Sequence, residues 1–360
     1  MRDIEEFTIR RYKDGDEVKI NKLFNEIFKI NRSIEEWFWK FRKNPLHDID
    51  LTVIAEYRGE IVGQYPLLPL LFKYNNTILK CATAVDNFVH PSFRGGIRGV
   101  QSKMYDYHKE ICRKEGMSFA FGFPNREHYI FGKRILKYGD LGQIRVLFRR
   151  LNWNLAIKER FPWIPDSLLK IVQSISSTGF KLLIQSRYHN DLKGMRVFEV
   201  DSFDERFDAF WDRVKEKYNI MGVRNEKYLN WRYKKPGADY KVIVAENGEE
   251  LNGYVVIEVR REAEEVKGHI VDLLAVDGAD SILIKEALLR FISKKVDFIL
   301  CWMLPHTAAY ASLLEFGFIE KSDFPPLNVV YTIYDNEIID DAFLKDQKNW
   351  YLTMADSDTY

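Results

Sequence analysis

The chain has 360 residues, 46% of them hydrophobic, with a formal net charge of +1. That length suits two or three ordinary domains with real cores and excludes a mainly disordered chain. The near-neutral balance argues against a protein that grips a nucleic acid backbone over its whole surface, so no nucleic acid partner is expected.

The N-terminus "MRDIEEFTIRRYKDGD" is charged and carries no apolar core of the signal-peptide type. From there, "EFTIRRYKDGDEVKINKLFNEIF" predicts a strand, a glycine-containing turn, and a helix with Ile20, Leu23, Phe24, Ile27 and Phe28 on one face. "LTVIAEYRGEIVGQYPLLPLLF" predicts a hairpin about its "YRGE" turn, and "TILKCATAVDNFVH" continues as strand. "GVQSKMYDYHKEICRKEG" predicts a helix stopped by Gly116, with Lys and Arg in its last turn as the helix dipole prefers. "SFAFGF" reads as a short buried strand, and "NREHYIFGKRILKYG" as a helix ending at Gly139. No segment approaches the ~18 uninterrupted apolar residues of a membrane span. Cys81, Cys112 and Cys301 are far apart and without metal-ligand spacing, which fits reduced, buried thiols in a cytoplasmic protein and no metal site.

The order then repeats. "WFWKFRKNP" matches "YLNWRYKKP", aligning Trp39 with Trp231. "VIAEYRGEIVGQY" matches "VIVAENGEELNGY", aligning Ala55 and Gly63 with Ala245 and Gly253. "VDNFV" parallels "VDLLAV", and "FAFGFPN" parallels "FILCWMLPH". Such matches in one order predict a duplicated domain. The expected division is 1–150 for the first copy, 151–197 for a basic helical linker, 198–335 for the second copy, and 336–360 for an acidic tail. In the linker, Leu168, Leu169, Val172 and Ile175 have helical spacing on a basic background. This reads as a connecting helix packed on a domain, or as a surface over 160–185 that touches a membrane or a partner.

The stretch "HPSFRGGIRGVQSKM" places three glycines and two arginines between a strand and a helix. Unpaired N–H groups at a helix start, together with the helix dipole, make a site for an anion, and glycines let backbone approach it. The equivalent stretch of the second copy, "AVDGADSILIKEALL", has no arginine, one glycine, and Asp277 and Asp280, which would repel an anion.

"VHPSFRGG" followed by "GVQSKM" resembles the coenzyme A pyrophosphate loop of the GNAT superfamily of N-acyltransferases, although the loop is about two residues longer than the family pattern. "GFPN", Gly122 to Asn125, resembles a signature of larger members of that superfamily. The resemblance implies an α/β (α+β) fold of two tandem GNAT-like domains, each a mixed, mostly antiparallel sheet flanked by helices. It implies acetyl-CoA as co-substrate and transfer of its acyl group to a primary amine, an amino sugar of a surface polysaccharide being the leading guess. By position it assigns the cofactor to Phe88, Val89, His90, Arg94, Gly95, Gly96, Ile97, Arg98, Gly99, Val100 and Asn125. Within it, the oxyanion donor maps near Val89, and Asp86, then Glu127, are the candidate bases.

The family's usual acid tyrosine is missing, since Ile135 and Leu313 stand at its positions. Tyr129 is the candidate substitute, with Tyr138 beside it. Trp37, Phe38 and Phe41 are candidates for an acceptor pocket. Asp356 and Asp358 belong to a solvated tail or reach the site between the copies. Two other functions fit the pattern: an aminoacyl-tRNA-dependent peptidyltransferase, and a non-catalytic acyl-CoA-binding or partner module. The oligomeric state is not readable from the chain.

Overall fold

The computed structural model describes the chain apart from residues 1–6, 96–98, 166, 170, 172–177, 180, 183–193, 263–264, 277, 322–323 and 325–326. The first half opens with β1 (Phe7–Arg11), α1 (Asp16–Phe28) and α2 (Ile34–Arg42). Ser33 caps α2, its side chain accepting from the Glu36 amide at 3.1 Å. Then come β2 (Val53–Tyr57), β3 (Glu60–Tyr65), β4 (Leu67–Tyr74), β5 (Thr77–Ala84) and β6 (Phe88–Val89). They are followed by α3 (Val100–Lys114), β7 (Phe119–Gly122), α4 (Arg126–Phe131) and β8 (Gly139–Arg150). Along α3, Val100, Met104, His108, Ile111 and Cys112 are buried, a stripe at helical spacing that seats the helix on β2 and β3. Each such apolar side chain contributes about 1.5–3 kcal/mol by leaving water.

After α5 (Asn154–Arg160) the second half runs β9 (Arg196–Val200), α6 (Glu205–Val214), β10 (Ile220–Gly222) and α7 (Glu226–Arg232). It continues with β11 (Tyr240–Asn247), β12 (Glu250–Glu262), β13 (Glu265–Ala275), α8 (Ala279–Ser293), β14 (Phe298–Met303) and α9 (Ala308–Glu315). β15 (Ile319–Glu320), β16 (Leu327–Ile333), α10 (Asp341–Lys345) and β17 (Trp350–Tyr351) close the chain. One sheet has the order β1-β2-β3-β6. The other has 13 strands in the order β17-β10-β4-β5-β7-β16-β8-β14-β13-β12-β11-β9, with β15 on β8. Pairings are antiparallel except β5 with β7, β13 with β14 and β10 with β17.

The two halves repeat one pairing pattern. Ala55 faces Gly63 and Ala245 faces Gly253, and each pair is followed by a bulge at the next residue. α3 carries the chain from β6 to β7, as α8 does from β13 to β14, between strands that run parallel in both halves. One difference opens the molecule. In the second half β12 and β13 pair continuously from Gly253–Ala275 to Glu262–Glu265, with one bulge at Val256/Ile257. In the first half the same ladder is cut twice. Pro66 separates β3 from β4, and Val85–Asn87 separate β5 from β6. Proline withholds a ladder N–H, and Asp86 takes the left-handed conformation at φ 47°. β6 therefore turns away to pair with β3, while β7 stays with β5.

The halves are interlocked as well as repeated. β16, from the second half of the chain, lies between β7 and β8 of the first half, and β8 continues onto β14. Within the tail after residue 335, the stretch 350–357 is buried rather than solvated. Trp350, Tyr351, Leu352 and Met354 are fully buried, and β17 pairs with β10. Beyond the last β13–β14 pair, Tyr351 donates to the Leu273 carbonyl and Thr353 to Asp272 at 3.0 Å, while the Tyr360 ring meets Trp302 at 5.1 Å. The tail thus packs where β13 and β14 part, the counterpart of the place where the first half opens.

Candidate functional site

A cavity of about 770 Å³ lies where β6 and β7 diverge, lined by Ala84–Val89 on one wall and Ala120–Asn125 on the other. Phe93, Arg94, Gly95, Gly99, Val100 and Gln101 add the glycine-rich loop and the start of α3. Gly99 stands at the N-cap of α3 without a side-chain cap, so the first N–H groups of the helix are left for an incoming anion. Gly96, Ile97 and Arg98 lie outside the described residues.

β6 is the last strand of its sheet, so its outer edge is open. His90 donates its amide to the Val62 carbonyl at 2.8 Å. By antiparallel alternation Val89 then turns its N–H and C=O outward. The Val89 carbonyl is taken by Arg94 Nε at 2.8 Å; the N–H sits on the cavity wall. Gly122 faces Ala84 so closely that a Cβ there would stand 3.0 Å from the Ala84 methyl, which fixes a small residue where the strands begin to part.

A hydrogen-bonded chain crosses the cavity. Gln101 Nε2 lies 3.1 Å from His128 Nδ1. An amide nitrogen donates, so Nδ1 accepts and the ring proton sits on Nε2. His128 Nε2 lies 3.4 Å from the Tyr138 hydroxyl, which lies 2.5 Å from the Tyr65 hydroxyl. In that order His128 donates to Tyr138 and Tyr138 to Tyr65, leaving the Tyr65 hydroxyl proton for the cavity. Burial pushes the pKa of both phenols up and lowers that of His128 to about 4, so the chain is uncharged at neutral pH. Tyr138 is held by an irregularity: α4 widens into a π turn over Gly132–Leu136, and Gly132 packs flat on the Tyr138 ring. Composition and periodicity carried no sign of this chain, because its members come from β3, α3, α4 and the residue before β8.

Several sequence expectations are corrected here. Asp86 lines the cavity but is no free base. Arg32 donates to one of its carboxylate oxygens and Lys40 to the other at 3.0 Å, and all three side chains are buried. Burial works to raise its pKa, but the charges of Lys40 and Arg32 outweigh it and hold the carboxyl below its ordinary value. The left-handed turn at Asp86 also interrupts the strand between Ala84 and Phe88.

Tyr129 lies off the cavity wall, its hydroxyl donating to Asp140 at 2.5 Å, a bond that raises its pKa. The His90 ring is also off the wall and accepts from the Ser92 amide at 3.2 Å. Trp37 and Phe41 are buried in the core rather than set in a pocket; Phe38 is exposed with its ring edge on Trp37. Of the remaining candidates, Phe88, Val89, Arg94, Gly95, Gly99 and Val100 come together on the cavity. Asn125 does too, while its Oδ1 caps α4 by accepting from His128 N at 2.9 Å. Glu127 is exposed at the rim. Asp358 also lines the cavity and meets Lys40 at 3.2 Å.

Residues 8–134 match the model of an acetyltransferase (GNAT) domain. The match covers the N-terminal part of the chain, which is similar to a GNAT domain. Solved structures extend the likeness in fold. A probable N-acyltransferase from Enterococcus faecalis V583 matches with TM-score 0.61 at 11% identity, over 91% of this chain and 73% of its own. A GCN5-related N-acetyltransferase from Kribbella flavida matches with TM-score 0.59 at 12% identity, over 91% and 71%. Saccharomyces cerevisiae N-myristoyltransferase, solved with bound myristoyl-CoA, matches with TM-score 0.57 at 11% identity, over 93% and 84%. No curated protein matches the sequence. In the matched N-terminal part the cut ladder, the open edge of β6 and the glycine-rich loop share one cavity. The second half differs at each point. Its ladder is continuous, Asp280 sits in the first turn of α8 accepting from Ser312, and the tail packs beside β13. Asp277 lies outside the described residues.

Proposed function

We propose that this chain is an acyl-CoA-dependent N-acyltransferase that carries an acetyl group from acetyl-CoA to a primary amine on a small molecule such as an amino sugar. The observation that carries the reading is the cut ladder. It opens one strand edge and a 770 Å³ cavity directly beside an uncapped helix start and Arg94. An uncapped helix N-terminus with a nearby guanidinium suits a pyrophosphate. An open strand edge suits the amide-bearing arm of the coenzyme, which pairs with backbone as a strand does.

The reaction needs few groups. The neutral amine attacks the thioester carbonyl; the C–N bond forms and the C–S bond breaks. The Val89 N–H is placed to receive the developing oxyanion. The Tyr65 hydroxyl, ordered through Tyr138, His128 and Gln101, is placed to donate a proton to the departing thiolate. The proton shed by the amine passes to Asp358 or Glu127 at the acceptor side, or to water. Asp86 anchors Arg32 and Lys40 and holds the wall rather than moving a proton. The second half, 198–335, shapes the acceptor side without binding coenzyme. The three cysteines are buried free thiols, which supports a reducing, cytoplasmic setting.

Calorimetric titration of acetyl-CoA tests the reading. Wild type is expected to bind with one site, and Arg94→Glu with Arg98→Glu to weaken binding by roughly tenfold or more, as loss and reversal of charge-assisted contacts to a phosphate should. No binding by folded wild type sinks the coenzyme assignment. Binding with no acetyl transfer to any amine of a broad panel, amino sugars included, sinks the enzyme assignment.

A further inference from the structure

The chain carries a second surface, remote from the cavity, whose chemistry is neither core nor catalytic. β8 begins at Gly139, beside Tyr138 at the cavity, and ends at Arg150, a run of roughly 35–40 Å at strand rise. At its far end the next residues expose an aromatic group. Trp153 is 56% exposed, Phe161 40% and Trp163 74%. Phe161 and Trp163 meet edge to face at 5.1 Å, so the two rings project together. α5 and the turn after it hold them in place, with Lys158 Nζ donating to the Ile164 carbonyl at 2.9 Å. Further along, Leu168, Ile171 and Leu182 are exposed while Leu169 is buried, so the segment is anchored by one side chain and turns others outward.

The sequence around these residues is predominantly basic. From Arg149 to Arg196 there are nine Lys and Arg against three Asp and Glu, in a chain whose formal net charge is only +1. Arg150 lies 5.6 Å from the Trp153 ring, Arg160 is exposed next to Phe161, and Lys181 is exposed next to Leu182. Exposed large apolar side chains gathered in one stretch mark a docking surface rather than ordinary surface variation. Tryptophans with basic neighbours suit the boundary between lipid headgroups and acyl chains, where the ring body is apolar and its N–H is wet. A second copy of this chain fits less well, because a two-fold contact would bring the two basic surfaces together.

We propose that Trp153, Phe161 and Trp163, with Arg150 and Arg160, form a peripheral docking surface for an anionic membrane. No described helix is long and apolar enough to cross a membrane, so the contact is one of lying on the surface. The proposal does not rest on the acyltransferase reading, since none of these residues lines the cavity.

Vesicle sedimentation of the full chain tests it, with phosphatidylglycerol-rich vesicles against pure phosphatidylcholine vesicles. The protein is expected to sediment with the anionic vesicles at low salt and to be released as salt rises. Trp163→Ser, and separately Arg150→Glu with Arg160→Glu, should each weaken vesicle binding by roughly tenfold or more. Circular dichroism and acetyl-CoA titration of the same variants should match wild type, which separates a lost surface from a lost fold. Failure of wild type to bind anionic vesicles overturns the proposal, as does equal binding to neutral ones. A Trp163-dependent dimer in light scattering, without vesicle binding, assigns the surface to a second copy and overturns it too.

Discussion

Trp39 and Trp231 hold each other by reciprocal bonds. Each indole Nε1 donates to the other's carbonyl at 2.8 Å, and the rings stack at 5.3 Å with 16° between planes. The pair joins equivalent points of α2 and α7 and ties the two halves at a local two-fold. Trp39→Phe keeps an aromatic ring but removes the indole donor to the Trp231 carbonyl, which keeps only the bond from the Lys234 amide at 3.3 Å. The expected cost is about 0.5–1.5 kcal/mol. Trp39→Ala, which also opens a void, should cost about 3–5 kcal/mol. Because β8 and β16 are exchanged between the halves, urea unfolding should remain one transition for probes in either half. Two separate transitions in wild type would refute the interlock.

Much of this was legible in the chain, for a physical reason. Repeats such as Trp39/Trp231, Ala55/Ala245 and Gly63/Gly253 sit where packing allows few alternatives, and they take equivalent places in the two halves. The glycine-rich stretch and Asn125 were also visible, because each answers to a local backbone demand. Long-range relations were not. The cut at Val85–Asn87 and the continuous ladder around Asp272 come from nearly matching residues, and only pairing distinguishes them. Asp86 read as a base because nothing local shows that Arg32 and Lys40, 54 and 46 positions away, close over it. The tail read as solvated because its aspartates are obvious and its partners, Arg224 and Lys40, are distant.

Asp86 offers the second test. Asp86→Ala leaves Arg32 and Lys40 buried and short of a counter-charge, and should destabilise the fold by about 3–5 kcal/mol in denaturant titration. The folded carboxyl has a pKa below its ordinary value. Its stabilisation is therefore complete above the unfolded value of about 3.9 and is lost as pH falls through the folded one. If Asp86 anchors the wall rather than taking the amine proton, Asp86→Asn should lower stability while leaving the shape of the kcat/KM pH profile unchanged. A lost acidic limb in that variant would restore Asp86 as the base.

His128 makes a separate pH prediction. Burial lowers its folded pKa to about 4, against about 6.5 when unfolded. The unfolded chain then binds the proton more readily, so the stability this group contributes is present above about 6.5 and is lost as pH falls toward 4. The loss reaches on the order of 3 kcal/mol. His108 and His269, lowered to about 3 by burial, act in the same direction and extend the loss to lower pH. Denaturant titration at pH 7 and pH 4.5 should therefore show a steep loss in wild type and a smaller one in His128→Gln. Equal losses would mean that His128 is not held neutral in the folded protein.

Gly132 tests the hydrogen-bonded chain without touching a polar group. A Cβ at this position would stand 2.2 Å from the Tyr138 ring, closer than atoms can approach, and the ring is rigid. Gly132→Ala must therefore move Tyr138 and break its contact with the Tyr65 hydroxyl. If Tyr65 is the proton donor to the leaving thiolate, Gly132→Ala and Tyr65→Phe should both lower kcat, each by roughly 10²-fold or more, with acetyl-CoA affinity little changed. The two changes act on one chain, so the double variant should be scarcely slower than either single one. Multiplying effects would instead show that Gly132 supports the fold by a route independent of Tyr65. A normal rate in Tyr65→Phe would show that the thiolate departs without a protein donor, leaving Gly132 a packing residue only.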